Sequence, residues 1–329
     1  MTSLGQALPD YSAILNEYDF DAPPVPKPSR AQAALEVMDV HRFLALNIPA
    51  REILLAPWLT AQSLNMIYGK RGLGKTLLAL SISYAVSSCA DLLGWKACKP
   101  RKVLYVDGEM LAGPLQERLA DIVRGSEYEP KPGMLHILTP DLQKGFMPNL
   151  ATIAGQDALD AVIPEGTDLI VLDSLSSLVR GQVRENDAES WDPLATWMLS
   201  QRVAGRSVLF LHHANKSGAQ RGTSKKEDLL DTVIALRPPA DHQPQNGAKF
   251  EIHMEKSRGL CREFVPIEAT LAQAPAGGVC WATKPIEQTV RERALQMAAD
   301  GMSKREIAEE LHVNRSTIYR ALSGGEGAV

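Results

Sequence analysis

Between residues 64 and 237 the chain repeats one unit: a short apolar run, a loop, then a longer segment with helical spacing. The short runs are 65–68, 103–106, 134–138, 169–172, 207–212 and 232–237. Each is dominated by Val, Ile or Leu, as expected of a strand covered on both faces. Strands alternating with helical segments predict an α/β domain, a mainly parallel sheet flanked by helices. Two later runs, 250–256 and 262–268, alternate more and are expected to pair antiparallel around a turn at 257–260. Upstream, a helix is expected over 31–43, and residues 49–59 lead into the first core strand. The stretch 272–285, with two prolines and Gly277-Gly278, reads as a linker before a small helical module.

Composition adds boundaries. Residues 1–30 carry Pro9, Pro23, Pro24, Pro26 and Pro28 among acidic side chains, which favours an extended tail. The expected organisation is therefore a tail over 1–30, an α/β domain over 31–271, a linker over 272–288, a helical domain over 289–323 and a tail over 324–329. With 329 residues, 45% of them apolar and 22% charged, the chain is an ordinary globular one with room for a large domain and a small one. Its formal net charge of −4 means that any nucleic-acid contact must come from a local basic surface. Cys89, Cys98, Cys261 and Cys280 show no C-x-x-C spacing, which argues against a zinc site and a disulfide framework. No stretch of ~18 apolar residues and no basic start followed by an apolar core occurs, so neither a membrane span nor a signal peptide is indicated and a cytoplasmic location is expected.

The chemistry starts at Gly69, Lys70, Arg71, Gly72, Leu73, Gly74, Lys75 and Thr76, a gapless match to G-x-x-x-x-G-K-[ST], followed by Leu77. A strand precedes it and a helix follows. That order points successive backbone N–H groups at a polyphosphate, where the unpaired amides and the helix dipole both favour negative charge. Lys75 would reach the β- and γ-phosphates of ATP, and the Thr76 hydroxyl would hold Mg²⁺.

Two other strand ends carry carboxylates. In DLIVLDS the apolar run ends at Asp173, positioned for the Mg²⁺ water shell; the alternative is a plain turn cap. In VLYVDGEM the strand ends at Asp107-Gly108-Glu109, and Glu109 is the candidate general base for an attacking water, a surface carboxylate being the alternative. The run SVLFLHH ends in His212 and His213; neighbours on a strand face opposite ways, so one of them would sense the γ-phosphate, and His213 is preferred. Adjacent histidines without a third ligand argue against a metal pair.

The glycine loop, the DGE strand, the LIVLDS strand and the LHHANK strand, in this order and spacing, resemble the core of RecA-type P-loop ATPases, and in particular the plasmid RepA-type hexameric replicative helicases. IPAREILLAPWL, RENDAE, and HHANKSG followed by RGTS extend the similarity over about residues 45–270. The resemblance implies a homo-oligomeric, hexameric ring with ATP between neighbours, translocation on single-stranded DNA, and unwinding. It places Lys75 and Thr76 in the first nucleotide motif, Asp173 in the second, and Glu109 as the catalytic glutamate. It also implies that Arg221 in RGTS is an arginine finger entering the neighbour's site, and that Lys256 and Arg258 in EKSRG act on a neighbour's γ-phosphate. For Arg221 a DNA-contacting or solvated loop residue remains the alternative.

Two Gly-containing basic segments follow strand ends: 174–190, with Arg180 and Arg184, and 215–226, with Lys216, Lys225 and Lys226. Such loops can track a phosphate backbone without reading sequence; a solvated face is the alternative. The C-terminal segment SKREIAEELHVNRSTIYRAL, with a Ser303/Glu306 capping box and a core of Ile307, Ala308, Leu311, Val313, Ile318 and Leu322, is similar to the helix-turn-helix of resolvases and invertases. It departs from that pattern at His312, where Gly is usual, so an altered turn is expected. Arg315, Ser316, Thr317, Tyr319 and Arg320 would meet duplex DNA; contact with a replication protein or packing on the next subunit are the alternatives. Together these readings imply a replicative helicase of a mobile element. An ATP-switched DNA-binding regulator or initiator without unwinding, or a filament-forming recombination mediator, would share the same core.

Overall fold

The computed structural model describes residues 36–180, 188–214, 228–239, 247–258, 264–299 and 301–323. Residues 36–50 form a unit of their own, with one short helix, α1 (Val40–Ala45), whose first N–H groups are capped by Asp39; 31–35 of the expected helix lie outside the described residues. From Arg51 onward the chain forms the second unit.

Its centre is a nine-stranded sheet. Six strands are parallel: β3 (Leu64–Gly69), β6 (Val103–Asp107), β7 (Leu135–Leu138), β8 (Leu169–Asp173), β9 (Ser207–His213) and β10 (Thr232–Arg237). An antiparallel meander continues the sheet with β11 (Lys249–Ser257), β12 (Ile267–Gln273) and β13 (Val279–Pro285). The order across it is β7-β6-β8-β9-β3-β10-β11-β12-β13. Two small hairpins stand apart: β1 (Ile53–Leu55) with β2 (Leu59–Thr60), and β4 (Asp91–Leu92) with β5 (Trp95–Lys96).

The unbroken apolar runs are explained by what covers the sheet. Val103 and Tyr105 join one core while Leu104 and Val106 join the other, and Leu169 and Val171 alternate likewise with Ile170 and Leu172. Period-two alternation therefore feeds two hydrophobic layers instead of one layer and water. Helix α2 (Lys75–Ser88) fills the first layer and is buried on nearly every side. Its serines tolerate that burial because Ser81, Ser83, Ser87 and Ser88 donate their hydroxyls to carbonyls of the preceding turn. The second layer holds α6 (Ala188–Val203) through Trp191, Leu194, Trp197 and Met198. Helices α3 (Ala112–Arg124), α4 (Ile153–Asp160) and α5 (Leu175–Leu178) complete the flanks. At the sheet's amino edge, the Asp231 carboxylate accepts the Leu64 N–H at 2.9 Å and pairs with Arg202.

The meander corrects two expectations. The strand expected over 262–268 begins at Ile267, immediately after Pro266, whose missing N–H cannot join a ladder; of the expected turn, 259–260 lie outside the described residues. The segment expected as a linker holds β13. Gly277 and Gly278, at φ +95° and +75°, make the tight turn between β12 and β13, and Trp281 returns to the core against Phe250 with ring centroids 5.2 Å apart. Gly-Gly here turns a hairpin instead of loosening a linker. The chain then enters α7 (Ile286–Ala299), followed by α8 (Lys304–Glu310) and α9 (Arg315–Ser323), closed around Ala294, Ile307, Ala308, Leu311 and Ile318. The architecture is an α/β core built on a mainly parallel sheet, with a C-terminal helical module. Among the described residues no helix is long and apolar enough to cross a membrane.

Candidate nucleotide site and helical module

The ends of the parallel strands that carry Gly69, Glu109, Asp173 and His213 meet at one edge of the sheet. Because β9 lies between β3 and β8, His213 sits between the glycine loop and Asp173, with Glu109 one strand further on. This is the carboxyl edge of a parallel sheet, where α/β folds bind ligands. A cavity of about 690 Å³ opens there, lined by Arg71, Gly72 and Gly74 to Leu77 of the loop and by Glu109, Asp173 and His213.

Leu73, 2% exposed, anchors the glycine loop in the core, while Lys70, Arg71 and Gly72 are exposed. Gly74 takes φ +103°, and a Cβ there would stand 2.6 Å from the Ala248 Cβ. Lys75 Nζ donates to the carbonyls of Gly69 (3.0 Å) and Lys70 (2.9 Å). Burial pushes the Lys75 ammonium down to about 8, against the pull of Asp173 and Glu109. A triphosphate would add to the negative charge of Asp173 and Glu109 in offsetting this desolvation.

Asp173 is buried; desolvation raises its pKa, opposed by hydrogen bonds from Tyr105 and Thr76. The Tyr105 hydroxyl donates to Asp173 Oδ2 at 2.6 Å. A threonine hydroxyl beside a carboxylate is an all-oxygen donor pair, which suits Mg²⁺. Glu109 Oε1 accepts the Ser174 hydroxyl at 2.6 Å and lies 3.8 Å from His213 Nε2; its side chain is 50% exposed. His213 lines the cavity, whereas His212 is buried beside it, the split that strand alternation requires.

Sequence reasoning missed several neighbours. Arg118, Met110, Ser174, Gly247 and Ala248 also line the cavity, and the Arg118 guanidinium donates to Met110 Sδ at 3.3 Å. No local motif marks Arg118 or Ala248, because the fold brings them in from α3 and the start of β11. Asp107 was visible as a strand end, and Tyr105 shares its strand face. Asp107 is 1% exposed and accepts the N–H groups of Glu109 (3.3 Å) and Met110 (3.0 Å) and the Thr139 hydroxyl (3.3 Å). Desolvation pushes its carboxyl up to about 6.

Other expected site residues lie elsewhere. Lys256 and Arg258 follow a reversal of direction: Lys256 pairs with Val233 and the Arg258 N–H bonds the Asp231 carbonyl. Both lie toward the amino ends of the parallel strands, Lys256 about 10 Å and Arg258 about 16 Å below the level of the glycine loop at ~3.3 Å per residue. The structure does not bring them to this chain's own cavity. Arg180 is exposed, with its guanidinium on the Met147 carbonyl at 2.6 Å. Arg184, Lys216, Arg221, Lys225 and Lys226 lie outside the described residues.

In the helical module Ser303 and Glu306 form a reciprocal capping box. His312 takes φ +51°, its N–H bonds the Glu309 carbonyl, and the Val313 N–H bonds the Ala308 carbonyl. That pair of bonds is a Schellman turn in its standard form. The turn expected to be altered is therefore regular, with histidine accepting the left-handed conformation. Arg315, Ser316, Tyr319 and Arg320 are exposed and Thr317 half-exposed, around buried Ile318; Lys304 stands 4.3 Å above the Tyr319 ring. The module is tied to the sheet by Arg293 on α7, which pairs with Glu268 of β12.

Residues 26–219 match the family described as the AAA domain, and residues 286–328 match the homeodomain-like domain. The chain is 22% identical over 220 residues to the DNA repair protein RadA of Listeria monocytogenes, an overlap covering 66% of this chain and 42% of that protein. It thus spans less than half the length of that relative. The crystal structure of the KaiC-like protein PH0186 from Pyrococcus horikoshii OT3 aligns with a TM-score of 0.47 at 17% identity, covering 72% of this chain and 96% of that one.

Proposed function

From the premise that this chain belongs to the AAA domain family of P-loop nucleoside triphosphatases, we propose that it is an ATP-driven, ring-forming DNA motor, a replicative helicase of a mobile element. One observation carries the reading. Lys75, Thr76, Asp173, Glu109 and His213 surround one cavity, while Lys256 and Arg258 occupy the opposite sheet edge, out of reach of that cavity. A site with its base at one edge and candidate cations at the other is suited to completion by a second copy, as in a closed heterologous ring. The similarity to a DNA repair protein supports DNA as the partner.

ATP would lie with its phosphates on the N–H groups that open α2, and Lys75 would leave the Gly69 and Lys70 carbonyls for the γ-phosphate. Thr76 and Asp173 would hold Mg²⁺, which neutralises the charge that develops on the phosphate oxygens. Glu109 takes a proton from water as its oxygen bonds the γ-phosphorus and the bond to the ADP oxygen breaks. His213, between Glu109 and the loop, is placed to report the cleavage. Arg221, Lys256 and Arg258 would stabilise the transition state in a neighbour's site, making turnover depend on assembly. Arg180, Arg184, Lys216, Lys225 and Lys226 would track single-stranded DNA, and Arg315, Ser316, Thr317, Tyr319 and Arg320 would meet a duplex.

The ion pair between Arg293 and Glu268 favours a second reading, an ATP-switched DNA-binding regulator. Glu268 also lies 3.7 Å from Lys249, next to the cavity-lining Ala248. Strand displacement on a forked duplex with Mg²⁺-ATP separates the two. Unwinding by the wild type but not by Glu109→Gln is the expected outcome. Site-specific duplex binding with no unwinding would select the regulator.

A further inference from the structure

We propose that Asp107 is a positioning residue for the general base Glu109, held in turn by Thr139. This rests on the hydrolytic reading of the site given above. After β6 ends, Gly108 makes the last rung to β8, its N–H on the Asp173 carbonyl at 2.7 Å, and the N–H groups of Glu109 and Met110, which have no rung, go to the two oxygens of the Asp107 carboxylate. Amides left unpaired in a half-buried turn would be costly, so the carboxylate dictates the path of the turn. A serine or threonine at 107 presents one oxygen; a carboxylate presents two and can also take the Thr139 hydroxyl.

Asp107 and Thr139 are 1% and 2% exposed, and neither lines the cavity. Asp107 therefore acts through Glu109 and does not touch substrate. Glu109 depends on such help. Its carboxylate is half exposed, and the hydroxyls it accepts come from Ser174 at 2.6 Å and Ser176 at 3.5 Å, side chains on another element. Where that carboxylate stands relative to an attacking water follows from where the turn holds its Cα. A displacement of ~1 Å at a reacting group can cost ~10²-fold in rate. Thr139 immediately follows the edge strand β7, so the catalytic turn is braced from both neighbours of β6.

The test is steady-state ATP hydrolysis by the full chain with single-stranded DNA, comparing Asp107→Ala, Asp107→Asn and Thr139→Val, with Asp107→Ala also made in the Glu109→Gln background. Asp107→Ala is expected to lower kcat ~10- to 100-fold with KM for ATP within ~3-fold. Asp107→Asn, which keeps one acceptor oxygen but turns an NH2 donor toward the other donors, is expected to recover only part of the loss. In the Glu109→Gln background Asp107→Ala should change the residual rate by less than ~2-fold, because both changes remove one function. An equal loss in both backgrounds, or wild-type kcat in Asp107→Ala, overturns the proposal. Should Asp107→Ala fail to fold, Thr139→Val carries the test: a several-fold lower kcat at unchanged melting temperature supports it, and unchanged kcat overturns it. A wild type without ATP turnover overturns the hydrolytic reading itself, whereas an active wild type, an inactive Glu109→Gln and an unaffected Asp107→Ala overturn the positioning role alone.

Discussion

Replacing Lys75 by Met should stabilise the nucleotide-free protein while abolishing its response to ATP. Lys75 is 6% exposed, and burial pushes its ammonium from 10.5 down to about 8. At ~1.36 kcal/mol per pH unit, that interval corresponds to a penalty of about 3 kcal/mol for keeping the charge in the folded state. Below pH 8 both states hold the proton and the folded state bears the whole penalty. Between pH 8 and 10.5 the unfolded chain binds more protons than the folded one, so unfolding free energy rises with pH. Methionine removes the charge and keeps most of the apolar stem. The carbonyls it abandons are provided for: Gly69 still accepts the Ala214 N–H at 3.0 Å, and Lys70 is exposed. Asp173 loses a neighbouring cation, which offsets part of the gain.

The net expectation at pH 7 is a stabilisation of about 1–2 kcal/mol, or a melting temperature higher by ~2 °C or more. Saturating Mg²⁺-ATP reverses the ranking, because ligand at ~100-fold its Kd stabilises the wild type by ~2.7 kcal/mol and the variant not at all. Thermal unfolding of both proteins at pH 7 and at pH 10, with and without nucleotide, reads all of this. The advantage of Lys75→Met should shrink toward pH 10 as wild-type Lys75 loses its proton. A variant less stable than wild type by more than ~1 kcal/mol at pH 7, or a difference that does not depend on pH, would refute the reasoning.

Two further substitutions probe the backbone. His312→Gly should stabilise the helical module by ~0.5–1 kcal/mol, because the exposed histidine pays for φ +51° and glycine does not; amide exchange in α8 and α9 should slow, and unchanged or faster exchange would count against it. Gly74→Ala should weaken binding of a fluorescent ATP analogue ~10-fold or more, since φ +103° and the 2.6 Å approach to Ala248 both forbid the methyl group. Adding Ala248→Gly should restore part of the affinity by removing the clash but not the backbone strain, and full recovery would show that conformation is unimportant there.

The parallel strands and the glycine loop were legible because their causes are local. A strand buried on both faces needs an unbroken apolar run, and a phosphate loop needs its glycines in order. The opposite facing of His212 and His213 follows from strand geometry alone. What the sequence hid depends on partners distant in the chain. The Gly277-Gly278 pair has the composition of a linker, and only the return of Trp281 onto Phe250 makes it a hairpin turn. The His312 turn was expected to be altered because an L-residue disfavours φ above zero. The Schellman bonds and the packing of Val313 into the module's core outweigh that cost of about 1–2 kcal/mol.

Strand direction accounts for the largest gap between motif and site. Spacing along the chain places EKSRG only two strands after the histidine pair, which suggests nothing about the edge it occupies. β10 runs parallel to β3 and ends beside the glycine loop, with Leu236 paired to Gly69. β11 reverses, so Ala248 at its start touches the loop while Lys256 and Arg258 at its end arrive at the far edge, level with Val233 and Asp231. One reversal thus places a wall of this chain's cavity at one end of β11 and a pair of cations at the other. Those cations can reach a triphosphate only if another copy presents its carboxyl edge, so their replacement should impair turnover in assembled protein while leaving nucleotide binding by isolated subunits intact.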